Sequence, residues 1–282
     1  MRAPAQGARV TDARLRAAVA DYARRLHARG WVANHDGNVT ARLPSDGRFL
    51  ATPTATSKAE VAADSLLVVD EAGRAVSGSG KPFSEIGLHL TVYRARPDVH
   101  AVVHAHPPTA TGFAVAGVPL DRPLLPEAVV SLGPGVPTVP LAPPGEAACR
   151  ALAAFVAAHD AVLLANHGVL AWGEGVEQAY LRLELVEHLA RIALVAEQLG
   201  GARPLPAESL PALLEARRKA GLGAAASAVS AAPSAPKAVV ACAPPPPGSD
   251  VVLAPRPKRA VLPQPGDLAA IIREEIAAAL KK

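Results

Sequence analysis

Apolar residues recur along this chain with two different periods. Over residues 12–30, DARLRAAVADYARRLHARG, the residues Leu15, Val19, Tyr22 and Leu26 fall at helical spacing, which predicts an amphipathic helix stopped at Gly30. SEIGLHLTVYRARPD predicts a second helix, opened by Ser84 and closed before Pro97. GEAACRALAAFVAAH predicts another, and EGVEQAYLRLELVEHLARIALVAEQLG a long amphipathic one. FLATP, LLVVD, AVVHAH and AVLLANHG are too short and too uniformly apolar for surface helices and read as strands. The fold class is therefore mixed α/β.

The pattern changes abruptly near the end. Residues 223–264 are low-complexity Ala/Pro sequence, in which proline removes donors and alanine offers little surface to bury, so they read as a disordered, extended linker. Over 265–282 periodicity returns: Asp267 suits an N-cap, and Leu268, Ile271, Ile272, Ile276, Ala279 and Leu280 form one apolar stripe. The chain thus divides into a globular domain, 1–222, a linker, 223–264, and an amphipathic C-terminal helix, 265–282.

Composition narrows the function classes. Half of the 282 residues are hydrophobic, enough for a sizeable core. The net charge of +4 is spread thin, with no basic run interleaved with aromatics, so no nucleic-acid partner is expected. Two distant cysteines, Cys149 and Cys242, argue against a disulfide framework and fit a reducing compartment. No apolar run reaches the ~18 residues of a membrane span, and MRAPAQGARVTDARL has no secretory core, so a soluble cytoplasmic protein is expected.

The candidate chemistry lies in AVVHAHPPTATGFA. Side chains alternate faces along a strand, so His104 and His106 share one face, where two imidazoles suit a single metal ion. A third ligand is available in His167, which ends another apolar run and precedes a glycine. H-x-H with a distant histidine is the donor set of an open catalytic zinc site. The alternative for each is a hydrogen-bonded core histidine. His27, His100, His159 and His188 fall on helix faces or element ends and read as structural.

Four segments in order extend this picture: NHDGNVTARL, TPTATS, GKPFSEIGLHLTVYRARPDVHAVVHAH and LLANHGVLAWG. Together they resemble the class II aldolase/adducin family, over roughly residues 12–200. The resemblance implies a central, mostly antiparallel sheet flanked by helices, assembled as a homotetramer. It implies one Zn2+ per subunit on His104, His106 and His167, with Glu85 as catalytic acid/base. It places Gly37, Asn38, Thr54, Ala55 and Ser84 where the family binds substrate phosphate. His89, four residues after Glu85, is placed to orient it.

The match also departs from the family. Phe83 stands for the first serine of S-S-E, an apolar wall in place of a hydroxyl, and Ala55 stands for a glycine. Lys58 reads as an exposed lysine, with restored phosphate charge as the alternative. The tyrosine that one branch uses as proton donor has no counterpart in RPLLPEAVVSLGPGVP; Glu127 is the substitute, with Asp36 a second candidate. Tyr22, Tyr93 and Tyr180 suit helix packing faces. The leading expectation is an aldolase cleaving a ketose 1-phosphate, such as fuculose or rhamnulose 1-phosphate, to dihydroxyacetone phosphate and lactaldehyde. The alternatives are an epimerase, dehydratase or decarboxylase on the same scaffold, and a non-catalytic adducin-like interaction domain. The C-terminal extension resembles the encapsulation peptides of bacterial microcompartment enzymes, which implies shell or core proteins as partners.

Overall fold

The computed structural model describes residues 12–44 and 47–223. The expected C-terminal helix and most of the expected linker lie outside the described residues.

Eight strands form one sheet: β1 (Asn38–Arg42), β2 (Phe49–Ala51), β3 (Leu67–Val69), β4 (Ala75–Ser77), β5 (Ala101–Ala105), β6 (Thr138–Val139), β7 (Ala161–Leu164) and β8 (Gly168–Gly173). Their order is β4-β3-β2-β1-β5-β8-β7-β6, and every pairing is antiparallel except β6 with β7. The helices are α1 (Asp12–Ala28), α2 (Ile86–Ala95), α3 (Pro108–Ala116), α4 (Pro126–Leu132), α5 (Glu146–Val156), α6 (Val176–Gln198) and α7 (Leu210–Lys219). The expected α/β class with a central, mostly antiparallel sheet is what the structure shows. None of the described helices is long and apolar enough to cross a membrane.

Strand alternation divides the core in two. Val39, Ala41, Val103, Ala105, Val169 and Ala171 face one side, where α1, α3 and α6 cover them. Val102, Leu170 and Trp172 face the other, with Tyr93 of α2 and Leu152 of α5. Burying both faces explains why β5, β7 and β8 read as unbroken apolar runs. The tyrosines pack as expected: Tyr22 and Tyr180 have ring centroids 5.1 Å apart, and Tyr93 stacks on Phe49 at 4.4 Å.

Parity places the polar residues as well. On β1 and β5 the α2-facing positions include Asn38, Thr40 and His104, and Asn38 stands directly opposite His104 in the ladder. Because β1 and β8 both run antiparallel to β5, the start of β1, the end of β5 and the start of β8 meet at one end of the sheet centre. That end carries the site.

Candidate metal and acid–base site

Three imidazoles converge here. His104 is the fourth residue of β5, His106 follows its end, and His167 lies in the turn between β7 and β8 rather than at a strand end. One ligand nitrogen from each lies within 4.8 Å of the others, a group that could hold a metal ion. The ring centroids are 4.7–4.9 Å apart. Gly168 makes the approach possible: a Cβ there would stand 2.5 Å from His106 Cδ2 and 2.6 Å from the Ala105 carbonyl. The H-G pairing is thus a demand for space.

The far sides of the rings fix their tautomers. His104 Nδ1 lies 2.9 Å from the Val169 carbonyl, which can only accept, so Nδ1 carries the proton and Nε2 presents a lone pair. His106 Nδ1 lies 3.5 Å from the Asp36 carboxylate, which leaves its Nε2 for a ligand. The two Nε2 atoms are 3.0 Å apart. Two lone pairs at that distance need a cation or a shared proton between them, so the donor set fits a divalent ion. Burial pushes His104 down to about 4, and a nearby Glu85 works against that; the ring is neutral at pH 7. Burial likewise lowers His106, as does the neighbouring His167.

Glu85 is the carboxylate of the site. It is the N-cap of α2, one residue later than the expected opening at Ser84. Its Oε1 is 2.8 Å from His167 Nε2 and its Oε2 is 3.4 Å from His104 Nε2. Asn38 Nδ2 donates to the same Oε2 at 3.2 Å. Burial alone would raise this carboxyl, but the His167 hydrogen bond, the electrostatic influence of the two neighbouring imidazoles and the Asn38 amide hold it well below the usual carboxylate range. The same hydrogen bond raises His167.

His89 does not orient Glu85 by a direct bond, as expected from the sequence. It is fully buried, and its Nδ1 instead lies 2.8 Å from Thr40 Oγ1, which also meets the Tyr93 hydroxyl at 2.8 Å. Phe83 packs edge-on against its ring at 5.1 Å. The serine-to-phenylalanine departure therefore serves the histidine beneath the site. Burial pushes His89 down to about 3.

The residues expected to bind phosphate differ in exposure. Thr54, Ala55 and Ser84 are exposed, while Gly37 and Asn38 are buried. Gly37 has φ +71°, and a Cβ there would lie 2.4 Å from Val32 Cγ1 and 3.1 Å from the His104 carbonyl, so a side chain would be both strained and crowded. Ala55 has φ +54°, which explains why a glycine is usual at this position. Glu127 sits exposed in the first turn of α4, with no bond to the histidines or Glu85 within the chain. Lys58 corrects the sequence reading most sharply: it is 1% exposed, not on the surface.

A histidine triad that could hold a metal ion stands beside a half-buried carboxylate on a central, mostly antiparallel sheet. The chain belongs to the class II aldolase and adducin N-terminal domain family, whose profile matches residues 17–194. It is 32% identical over 190 residues to the 3-oxo-tetronate 4-phosphate decarboxylase of Pectobacterium atrosepticum, covering 66% of this chain and 86% of that one. It is 33% identical over 176 residues to the methylthioribulose-1-phosphate dehydratase of Methylococcus capsulatus, covering 58% and 85%. A solved L-fuculose 1-phosphate aldolase superposes with TM-score 0.67 at 26% identity, covering 74% of this chain and 98% of that one. These relatives are lyases of three kinds.

Proposed function

We propose that this chain is a zinc-dependent carbon–carbon lyase that cleaves a ketose 1-phosphate, such as fuculose or rhamnulose 1-phosphate, into dihydroxyacetone phosphate and lactaldehyde. The observation that carries the reading is the Glu85 carboxylate set across His104 and His167, at 3.4 and 2.8 Å. Cleavage between C3 and C4 leaves an electron pair on a carbon beside a carbonyl. A divalent ion held by His104, His106 and His167 would supply Lewis-acid stabilisation of that charge. Glu85 accepts the proton of the C4 hydroxyl as the bond breaks and returns it to C3 of the enediolate, so one carboxyl serves both proton movements. Asn38 holds one carboxylate oxygen and so fixes the direction of transfer. Asp36 orients His106 and stands as a second relay group. Gly37, Asn38, Thr54, Ala55 and Ser84 would receive the phosphate. In a homotetramer, Glu127 would be offered to a neighbouring chain's site.

Decarboxylation of a 3-oxo sugar acid phosphate is the second reading, favoured by the Pectobacterium relative. Loss of CO2 leaves the same kind of enolate for Glu85 to protonate. NMR of the zinc-loaded protein with a panel of ketose 1-phosphates, 3-oxo acid phosphates and methylthioribulose 1-phosphate decides. Lactaldehyde with dihydroxyacetone phosphate is expected; CO2 or water loss assigns a sister reaction, and no turnover contradicts all three.

We also propose that residues 265–282 direct the enzyme to a microcompartment lumen, on the strength of their apolar stripe beyond an Ala/Pro-rich stretch. A fluorescent protein carrying 223–282 should gather in cells that make shells; diffuse fluorescence would contradict the targeting.

A further inference from the structure

One buried charge is not used by the chemistry above. Lys58 opens a short 3-10 turn, Lys58–Glu60. Its ammonium donates to the His35 carbonyl at 3.0 Å and to the Thr56 carbonyl at 2.9 Å. These carbonyls belong to two different loops. One precedes β1 and carries Asp36 and Gly37; the other follows β2 and carries Thr54 and Ala55. Each loop holds a non-glycine residue in the left-handed region, Asn34 at φ +50° and Ala55 at φ +54°. Such conformations persist only where the surroundings impose them, and a cation gripping a carbonyl from each loop is such an imposition.

The charge has no ion-pair partner among the described residues. An ammonium has three protons, and two are committed to neutral carbonyls. Asp36 is the acid near enough to favour its charged form. Burying an ammonium without an ion-paired carboxylate disfavours its charged form, and burial lowers its pKa accordingly, with Asp36 opposing. A lysine retained here on those terms points to an anion supplied from outside the chain.

We propose that Lys58 is the positioning residue of the anion subsite: it ties the two loops together and supplies the positive charge that a substrate phosphate completes. This rests on the reading that the substrate is a sugar phosphate and adds how the chain compensates for Phe83 and Ala55, where a hydroxyl and a glycine are usual. Lys58 need not touch the phosphate.

The test measures binding of inorganic phosphate to the full zinc-loaded chain by calorimetry, for the wild type, Lys58→Met, Lys58→Gln and Lys58→Arg. The methionine and glutamine variants should keep their zinc and bind phosphate about tenfold or more weakly, and arginine should restore most of the affinity. With a turned-over sugar phosphate, KM should rise by a similar factor and kcat change by less than about threefold. Unchanged phosphate affinity in the uncharged variants would overturn the proposal, as would a wild type that does not bind phosphate. Equal KM losses for phosphorylated and unphosphorylated forms of one sugar would also overturn it. Should Lys58→Met fail to fold, the glutamine and arginine variants carry the same comparison. Because phosphate binding needs no turnover, a wild type that binds phosphate through Lys58 but cleaves no sugar phosphate would defeat the reaction assigned above and leave this subsite standing.

Discussion

Single residues explain both what the sequence disclosed and what it withheld. His104 and His106 were legible because two titratable rings on one face of an apolar run have few structural uses, whereas Glu85 was named only by the family resemblance. Lys58 was not legible, because nothing local marks a lysine as buried; its acceptors come from a loop more than twenty residues earlier as well as from its own. His89 was legible as a partner for something, at the right helical spacing from Glu85, but strand β1 supplies a nearer acceptor in Thr40. These buried rings have a pH signature in the metal-free protein. His104 and His89 are depressed to about 4 and about 3, below the ordinary histidine value of 6.5. In that window the unfolded chain binds protons that the native chain refuses, so stability falls as pH drops from about 6.5 toward 4. His167, which is raised, opposes this at the upper end of the window. Urea midpoints of chelator-treated protein should therefore decline from pH 7 to pH 4.5; a flat profile would mean that the rings are solvated.

At the level of elements, the long helices and the most apolar strands followed from periodicity. The short strands β1, β4 and β6 and the helices α3, α4 and α7 did not, since a few residues carry too little pattern to separate from a turn. β8 was hidden differently: GVLAWG is buried on both faces, so it shows no alternation, and it runs straight on from the third histidine. That arrangement gives the site its rigidity. The β7–β8 turn holds His167, with Asn166 at φ +56° before it and Gly168 after it. On the other side, α3 begins directly after His106 and Pro107, and the buried Glu187 of α6 accepts from the Thr109 and Ala110 amides at its first turn. Gly168→Ala tests how far the turn controls the cluster. Its methyl would stand against the His106 ring and the β5 backbone. Metal affinity should fall by 10- to 100-fold, the range seen when the shell around a ligand is disturbed. Competition with a chromophoric chelator reads this out, and wild-type affinity would show that the ligands move freely.

The molecule as a whole holds its sheet in register with a second polar cluster, far from the chemistry in role. Asp160, fully buried at the start of β7, receives Arg96 at 3.3 Å and Arg182 at 3.2 Å, and Arg217 of α7 closes on it as well. One carboxylate thereby joins α2, α6 and α7 to the sheet, and Arg217 also donates to the Val130 carbonyl of α4 at 2.9 Å. With that frame in place the site stands at the sheet centre, and three kinds of lyase among the relatives share its scaffold. What they would share chemically is a cation-stabilised carbanion and a carboxyl to protonate it. The central claim is that His104, His106 and His167 hold the ion while Glu85 moves the proton, and these roles separate in one measurement: metal content and turnover of the same preparations. Wild type should carry about one zinc per chain. His104→Ala with His106→Ala should carry almost none and be inactive. Glu85→Gln should keep the zinc and lose on the order of 10²-fold in turnover. Zinc and activity surviving the double histidine change, or full turnover in zinc-loaded Glu85→Gln, would contradict the account.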